Sequence, residues 1–296
     1  MKDKRVWKGS VCAALGGVAW GFSGTCGQYL FSEFGISSLW LTCLRLLTAG
    51  VLMVGMAFVK HRSDLVNIWK SPKDVVHLLL YGIFGLMMCQ YAYMTSISYS
   101  NAATTTVLQT LNLVIIMLIT CVQVRRKPSR AEALSLALAL IGTFLLATGG
   151  DPRHMVLSPA GLFWGLATAA AVTAYTLIPR RLLEKWSREA ISGLGMLCGG
   201  VVLNLGARSW NFEVSLPPSG WLAVGCIVVF GTVVSFSLFM QGIRDAGPVR
   251  ASILGVTEPL SAAVFSAVWL GTSFSAADLW GFAAIIATMF LLAKSE

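Results

Sequence analysis

Residues 247–271 read GPVRASILGVTEPLSAAVFSAVWLG. The stretch is a membrane-spanning helix in all but two residues, Glu258 and Pro259, which stand side by side near its middle. A carboxylate at mid-bilayer depth costs about 2.5–3.5 kcal/mol on insertion scales, so it persists where water, a partner or a solute compensates it, and not against lipid. Proline lacks a backbone donor and clashes with the carbonyl four residues earlier, here that of Gly255, which predicts an unpaired acceptor beside the acid. Glu258, Pro259 and Gly255 are therefore the candidates for coupling and for a hinge.

The surrounding chain is of the same kind. Of 296 residues, 56% are hydrophobic and 12% charged, and a mean hydropathy of +0.74 leaves no room for a large soluble domain. A crossing of the ~30 Å hydrocarbon core takes about 20 apolar residues. Ten such runs are read, at about 10–31, 36–59, 75–97, 102–124, 131–148, 159–179, 190–206, 220–241, 249–270 and 276–293. The first begins just after Lys8 and lacks a small-residue cleavage pattern, so it reads as a span and not as a signal peptide.

A net charge of +9 raises the question of nucleic acid, and the placement of the cations answers it. Alternate connections hold Lys2, Lys4, Arg5 and Lys8, then Lys60, Arg62, Lys70 and Lys73, then Arg125, Arg126, Lys127 and Arg130. The series continues with Arg180, Arg181, Lys185 and Arg188, then Arg244 and Arg250, then Lys294, whereas the opposite connections hold only Arg153 and Arg208. Such bias in short loops predicts that both termini are cytoplasmic and that the chain is a multi-pass protein of the cell membrane with no nucleic-acid partner. Cys12, Cys26, Cys43, Cys89, Cys121, Cys198 and Cys226 lie singly inside apolar runs and the three histidines are scattered. This pattern indicates neither a metal site nor a cofactor.

The chain also repeats. At an offset of 146 residues, 72–150 falls on 218–296 without a gap: FGLMMCQYAYMTSI meets FGTVVSFSLFMQGI, and Pro72 and Glu132 meet Pro218 and Asp278. The predicted fold is an all-α membrane protein of two five-helix repeats, 1–150 and 151–296. Five is odd, so the second repeat enters the membrane in the opposite sense, and sites in inverted repeats lie near the midplane between them.

The same offset places Glu258 on Asn112 and Pro259 on Leu113. Thr105, Gln109 and Asn112 share one helical face, as do Ala251, Gly255 and Glu258. The third run carries Gln90, Tyr93, Met94 and Ile97, matched by Phe236, Phe239, Met240 and Ile243 in the eighth; the face reads either as the wall of a solute cavity or as aromatic packing. On the first run Trp20, Ser23, Gly24, Gly27 and Gln28 share a side, and on the sixth Trp164, Thr168, Ala171 and Tyr175 do. Arg45, the deep cation of the second run, has three readings: a pair with Glu258, a contact for a substrate carboxylate, or a side chain snorkelling to the surface. Gly17 with Gly21, and Gly195 with Gly199, are spaced for close helix contact.

The chain resembles the drug/metabolite transporter superfamily, specifically its EamA branch of ten-helix proteins. The residues that carry the likeness are WGFSG at 20–24, Arg45 within LRLLTAG, TEP at 257–259 and the matching repeat ends. The resemblance implies movement of small organic metabolites, often amino acids, by alternating access. It also implies a proline in the fourth run, where this chain has Leu113, and an acid closing that run, where it has Arg125 and Arg126; the break is accordingly expected in the second half alone.

The expected function is thus secondary transport, as a monomer or homodimer, with export favoured and Glu258 as the proton-coupling group. The candidate substrate-binding residues are Trp20, Ser23, Gln28, Arg45, Gln90, Tyr93, Gln109, Asn112, Tyr175, Phe236, Phe239 and Glu258. Two other classes are weighed. A lipid-modifying membrane enzyme needs a catalytic set in an interfacial loop, and the loops at 60–74, 149–158 and 207–219 show no nucleophile, base and metal ligands together. A non-transporting membrane subunit has no need of a deep Arg45 and Glu258.

Overall fold

In the computed structural model, residues 2–293 are described, without the side chains of 2–4, 240, 248, 249, 252 and 293. Lys294 and the side chains of Lys2, Lys4 and Met240 thus lie outside the described residues. The helices are α1 (Lys2–Phe34), α2 (Ser38–Lys60), α3 (Pro72–Tyr99), α4 (Ala102–Gln123) and α5 (Arg130–Thr148). They are followed by α6 (Pro159–Leu177), α7 (Arg188–Ala207), α8 (Pro218–Ala246), α9 (Pro248–Leu254 and Thr257–Leu270) and α10 (Ala276–Ala293). Among the described residues seven helices, α2 to α8, are long and apolar enough to cross a membrane. The small and polar residues of α1, the interruption of α9 and the shortness of α10 keep those three below that measure.

The residues that align at the 146-residue offset do the same structural work. Pro72 and Pro218 each sit at the first turn of their helix, α3 and α8, where a missing N–H costs no intrahelical bond. Ser129 with Glu132 closes a capping box at the start of α5. Ser275 with Asp278 does so before α10, the Ser275 N–H donating to the carboxylate at 2.8 Å and its hydroxyl accepting from the Asp278 N–H at 3.2 Å. Periodicity did not foretell the π-helical segment in each third helix, Tyr81–Met87 in α3 and Val229–Val234 in α8.

Packing exchanges the two halves. α1 lies on α8 and α9, and α6 lies on α3 and α4; α2 faces α7 and α5 faces α10. Lipid supplies no hydrophobic drive between helices, so close fit has to hold them, and small residues provide it. A Cβ on Gly17 would collide with Thr257 and one on Gly21 with Ser261, which is how α1 reaches the backbone of α9. Gly195 and Gly199 of α7 press on the π segment of α3 at Tyr81 and Gly82.

The two ends of the bundle differ in chemistry. At the end where α1 begins, Arg5 pairs with Asp245 at 3.0 Å. Asp74 accepts from Lys185 at 3.2 Å and from the Trp186 indole at 3.2 Å. Asp64 accepts from the Ser187 N–H at 2.9 Å. Four basic segments are thus joined in pairs, 2–8 with 244–250 and 60–74 with 180–188. At the other end of α1, Gln28 donates to Thr272 at 3.0 Å, and its carbonyl accepts from the Ala102 N–H at 2.9 Å and Ser266 at 3.0 Å.

Candidate functional site

Both fourth helices break, and at matching places. α4 tightens at Thr110 and Leu111, whose N–H groups donate to Val107 and Leu108 at 3.1 Å each, before the helix resumes at Asn112. α9 is interrupted at Gly255 and Val256 and resumes at Thr257. The expectation of a break in one half alone is therefore corrected: no proline is required. Thr106 and Thr110 return their hydroxyls to the carbonyls of Ala102 and Val107, and back-bonding of this kind bends helices.

The free Gly255 carbonyl is corrected too. It accepts from the Glu258 N–H at 3.0 Å. Because the helix restarts at Thr257, Pro259 falls in a first turn, where N–H groups have no intrahelical partner in any case. Glu258 sits in that turn, at the positive end of a half-helix dipole. The Thr257 hydroxyl anchors the break to α1 through the Ala14 carbonyl at 2.9 Å.

Around these breaks lies a cavity of about 250 Å³. Trp20 and Ser23 reach it from α1, Arg45 from α2, and Gln90 and Tyr93 from α3. Gln109 comes from α4, Tyr175 from α6, Phe236 from α8 and Glu258 from α9. Aromatic walls thus surround a few polar groups. Tyr93 bonds Thr106 at 3.2 Å, Tyr175 stacks on Tyr81 with ring centroids 5.8 Å apart, and the Arg188 guanidinium lies 4.8 Å over the Phe236 ring.

Arg45 does not snorkel. It is 5% exposed, and its Nη2 donates to the Gly231 carbonyl in the π segment of α8 at 3.3 Å. Nor does it contact Glu258: Nε and Nη1 have no hydrogen-bond partner, and no ion pair joins the two among the described residues. Both charges line the same cavity. Gln109 is the polar neighbour of the acid.

Three candidates lie outside the cavity. Gln28 ties α1 to α4 and α9 at the far end of the bundle. Phe239 backs Trp20, ring centroids 5.1 Å apart. Asn112 contributes its carbonyl, which accepts from Thr173 at 3.4 Å, and its side chain is not among the lining groups. Trp164 packs against Tyr91. Conversely, Leu86, Cys89, Val172, Met196, Gly231 and Thr232 line the cavity and escaped sequence reading. Their signal was faint: Leu86, Gly231 and Thr232 belong to the π segments, where helical face assignment at 100° per residue fails.

The model of the EamA-like transporter family matches the chain twice, over residues 7–148 and 159–294. YicL of Salmonella typhimurium, named an uncharacterized inner membrane transporter, is 36% identical over 285 residues, 96% of this chain and 95% of that protein. A protein of Chlamydia muridarum named an S-adenosylmethionine/S-adenosylhomocysteine transporter is 23% identical over 80% of this chain and 77% of its own. A solved crystal structure shares the fold with a TM-score of 0.61 and 20% identity, covering 95% of this chain and 96% of that one. Two family matches in tandem coincide with the two sets of capped, π-bulged and broken helices, and both named relatives bear the name of a transporter, which points to a transporter and not an enzyme. The chain is a multi-pass membrane protein of the EamA-like transporter family.

Proposed function

We propose that this protein is a secondary transporter that exports small organic metabolites such as amino acids from the cell. Its repeats, 1–150 and 151–296, are read as inverted, with ten crossings and both termini cytoplasmic. The Lys/Arg bias supports this orientation, as does the meeting of Arg5, Asp245, Asp74 and Lys185 at one end of the bundle.

One observation carries the reading: a cavity of about 250 Å³ lies at the breaks of both fourth helices, with an acid and a guanidinium in its lining. Drug-sized ligands take pockets of about 300–1,000 Å³, so a smaller metabolite suits it. The named solutes of the chlamydial relative are amino acids extended by an adenosyl group; the cavity volume argues for an amino acid without so large an extension. Short 3₁₀ turns inside long helices suit the hinges that alternating access requires.

Glu258 is the coupling group of this reading. Arg45 acts on it electrostatically and Gln109 stands beside it, and because Glu258 lines the cavity its proton, on this reading, is exchanged there. In proteoliposomes, flux of a transported amino acid should respond to an imposed pH gradient. Glu258→Gln should abolish that response while facilitated exchange persists; a pH response equal to that of the parent protein would remove Glu258 from coupling.

A further inference from the structure

We infer that Arg45, Ser23 and Thr232 form a carboxylate-binding subsite at one pole of the cavity, and that the solute is held there by its carboxylate. This deepens the transport reading and rests on it for the word solute, though not for the binding itself.

Buried polar atoms normally find partners. Five buried side-chain atoms among the described residues have none, and four of them belong to this pole: Arg45 Nε and Nη1, Ser23 Oγ and Thr232 Oγ1. The residues are 5%, 1% and 5% exposed respectively. They converge from α1, α2 and α8. A guanidinium buried without a counter-ion in contact is costly, and two unpartnered hydroxyls at the same place compound the cost. An anion seated among them removes it.

The backbone is shaped to keep these donors available. Gly231 stands so close that a Cβ there would collide with Ser23 and crowd Arg45. Its carbonyl takes one N–H of Nη2, which orients the fork and leaves the three donors on Nε and Nη1 unused. The π segment Val229–Val234 presents Gly231 and Thr232 to the cavity together.

A planar fork with flanking hydroxyls matches a carboxylate, which accepts two parallel N–H bonds and has further lone pairs for the hydroxyls. The acid in the same lining sets the charge. Glu258 disfavours a dianion such as a phosphate monoester, and with Gln109 it suits the ammonium of the same solute. The two poles together select a zwitterion, with the aromatic rings of Trp20, Tyr93 and Phe236 between them.

The test uses matched probes on the purified full chain: L-phenylalanine against 2-phenylethylamine, L-methionine against 3-(methylthio)propylamine, and phenyl phosphate. Binding is read by melting temperature and by competition, flux by proteoliposome counterflow. The amino acids should bind at least about tenfold more tightly than the amines or the phosphate, a factor that corresponds to ~1.4 kcal/mol. Arg45→Gln and the double variant Ser23→Ala with Thr232→Val should lose that preference without lowering the melting temperature of the unliganded protein, and Arg45→Lys should recover part of it. Amines binding as well as amino acids, preference for phenyl phosphate, no binding of either amino acid, or an unliganded Arg45→Gln protein that melts early because Arg45 is a structural tie would each overturn the subsite. Arg45-dependent binding without flux would leave the subsite standing and end the transport reading; flux indifferent to the carboxylate would do the reverse.

Discussion

The fourth helix of the first repeat breaks at Thr110 and Leu111 with no proline nearby, whereas that of the second breaks at Gly255 and Val256, just before Pro259. The geometry is the same and the chemistry is not. In α4 the turn is made by 3₁₀ bonds and by threonines folding back on the backbone. In α9 Val256 and Glu258 make bonds of the same kind and Thr257 folds back on Leu254, and a glycine and a proline compatible with the restart are added. The break is thus a property of the architecture, and the residues at it are free to differ. What they put at the start of each half-helix separates the repeats: Glu258 lines the cavity, and Asn112 does not. One repeat supplies a carboxylate to the cavity, while the other supplies Gln109 from one turn earlier.

The comparison can be broken most severely with prolines in α4. Leu113→Pro copies Pro259 and falls in the first turn of the resumed helix, where it forfeits one bond, from Leu113 N–H to the Thr110 carbonyl at 3.2 Å; it should cost about 1 kcal/mol. Ile116→Pro, the fifth residue of Asn112–Gln123, removes a ladder bond and should cost about 3 kcal/mol or more. Melting of the two purified variants decides the matter, and equal losses would mean that α4 is continuous through the membrane.

A smaller effect sharpens the functional half of the contrast. Gln109→Ala should weaken solute affinity about tenfold, since bonds to charged groups are worth ~1.5–3 kcal/mol, while Asn112→Ala should change it by less than about twofold because its side chain leaves the cavity lining unaltered. Titration of both variants with one ligand gives the ratio, and an inverted ratio would put the polar centre of α4 at the wrong residue.

The smallest effect concerns the charged end of the bundle. The Ser187 hydroxyl and N–H, both facing Asp64, hold its carboxyl below the ordinary carboxylate range. A depressed value stabilises the fold above the unfolded pKa of about 3.9 and loses that contribution as pH falls through the folded value. Asp64→Asn should therefore melt slightly lower at neutral pH, and the gap to the parent should shrink below about pH 4. A gap independent of pH would show that the side chain acts by packing alone.

Much of this was legible in one chain of letters. Pro72 with Pro218 and Glu132 with Asp278 marked the repeat because first-turn prolines and capping acids act locally, within four residues of themselves. Glu258 and Arg45 stood out because charge at bilayer depth is expensive wherever the neighbours lie. Direction was harder. Phe239 and Asn112 follow a π segment and a 3₁₀ turn, and a face at 100° per residue is carried forward without error only in an unbroken α-helix; Gln28 lies on unbroken α1 but at its far end, bonded to Thr272, Ala102 and Ser266. Two π segments and two 3₁₀ turns interrupt that count at the places where the site is built.

Sequence by itself determined the membrane class, the repeat, the deep acid and the deep cation, because these follow from transfer energies and from local capping. Tertiary structure decided that Arg45 and Glu258 line one cavity with no ion pair between them, that Gly231 stands beside the guanidinium, and that four buried polar atoms of Arg45, Ser23 and Thr232 lack partners. Those facts depend on how three helices cross, and helices in lipid are set by the fit of small residues against distant backbone, a relation that no stretch of sequence contains.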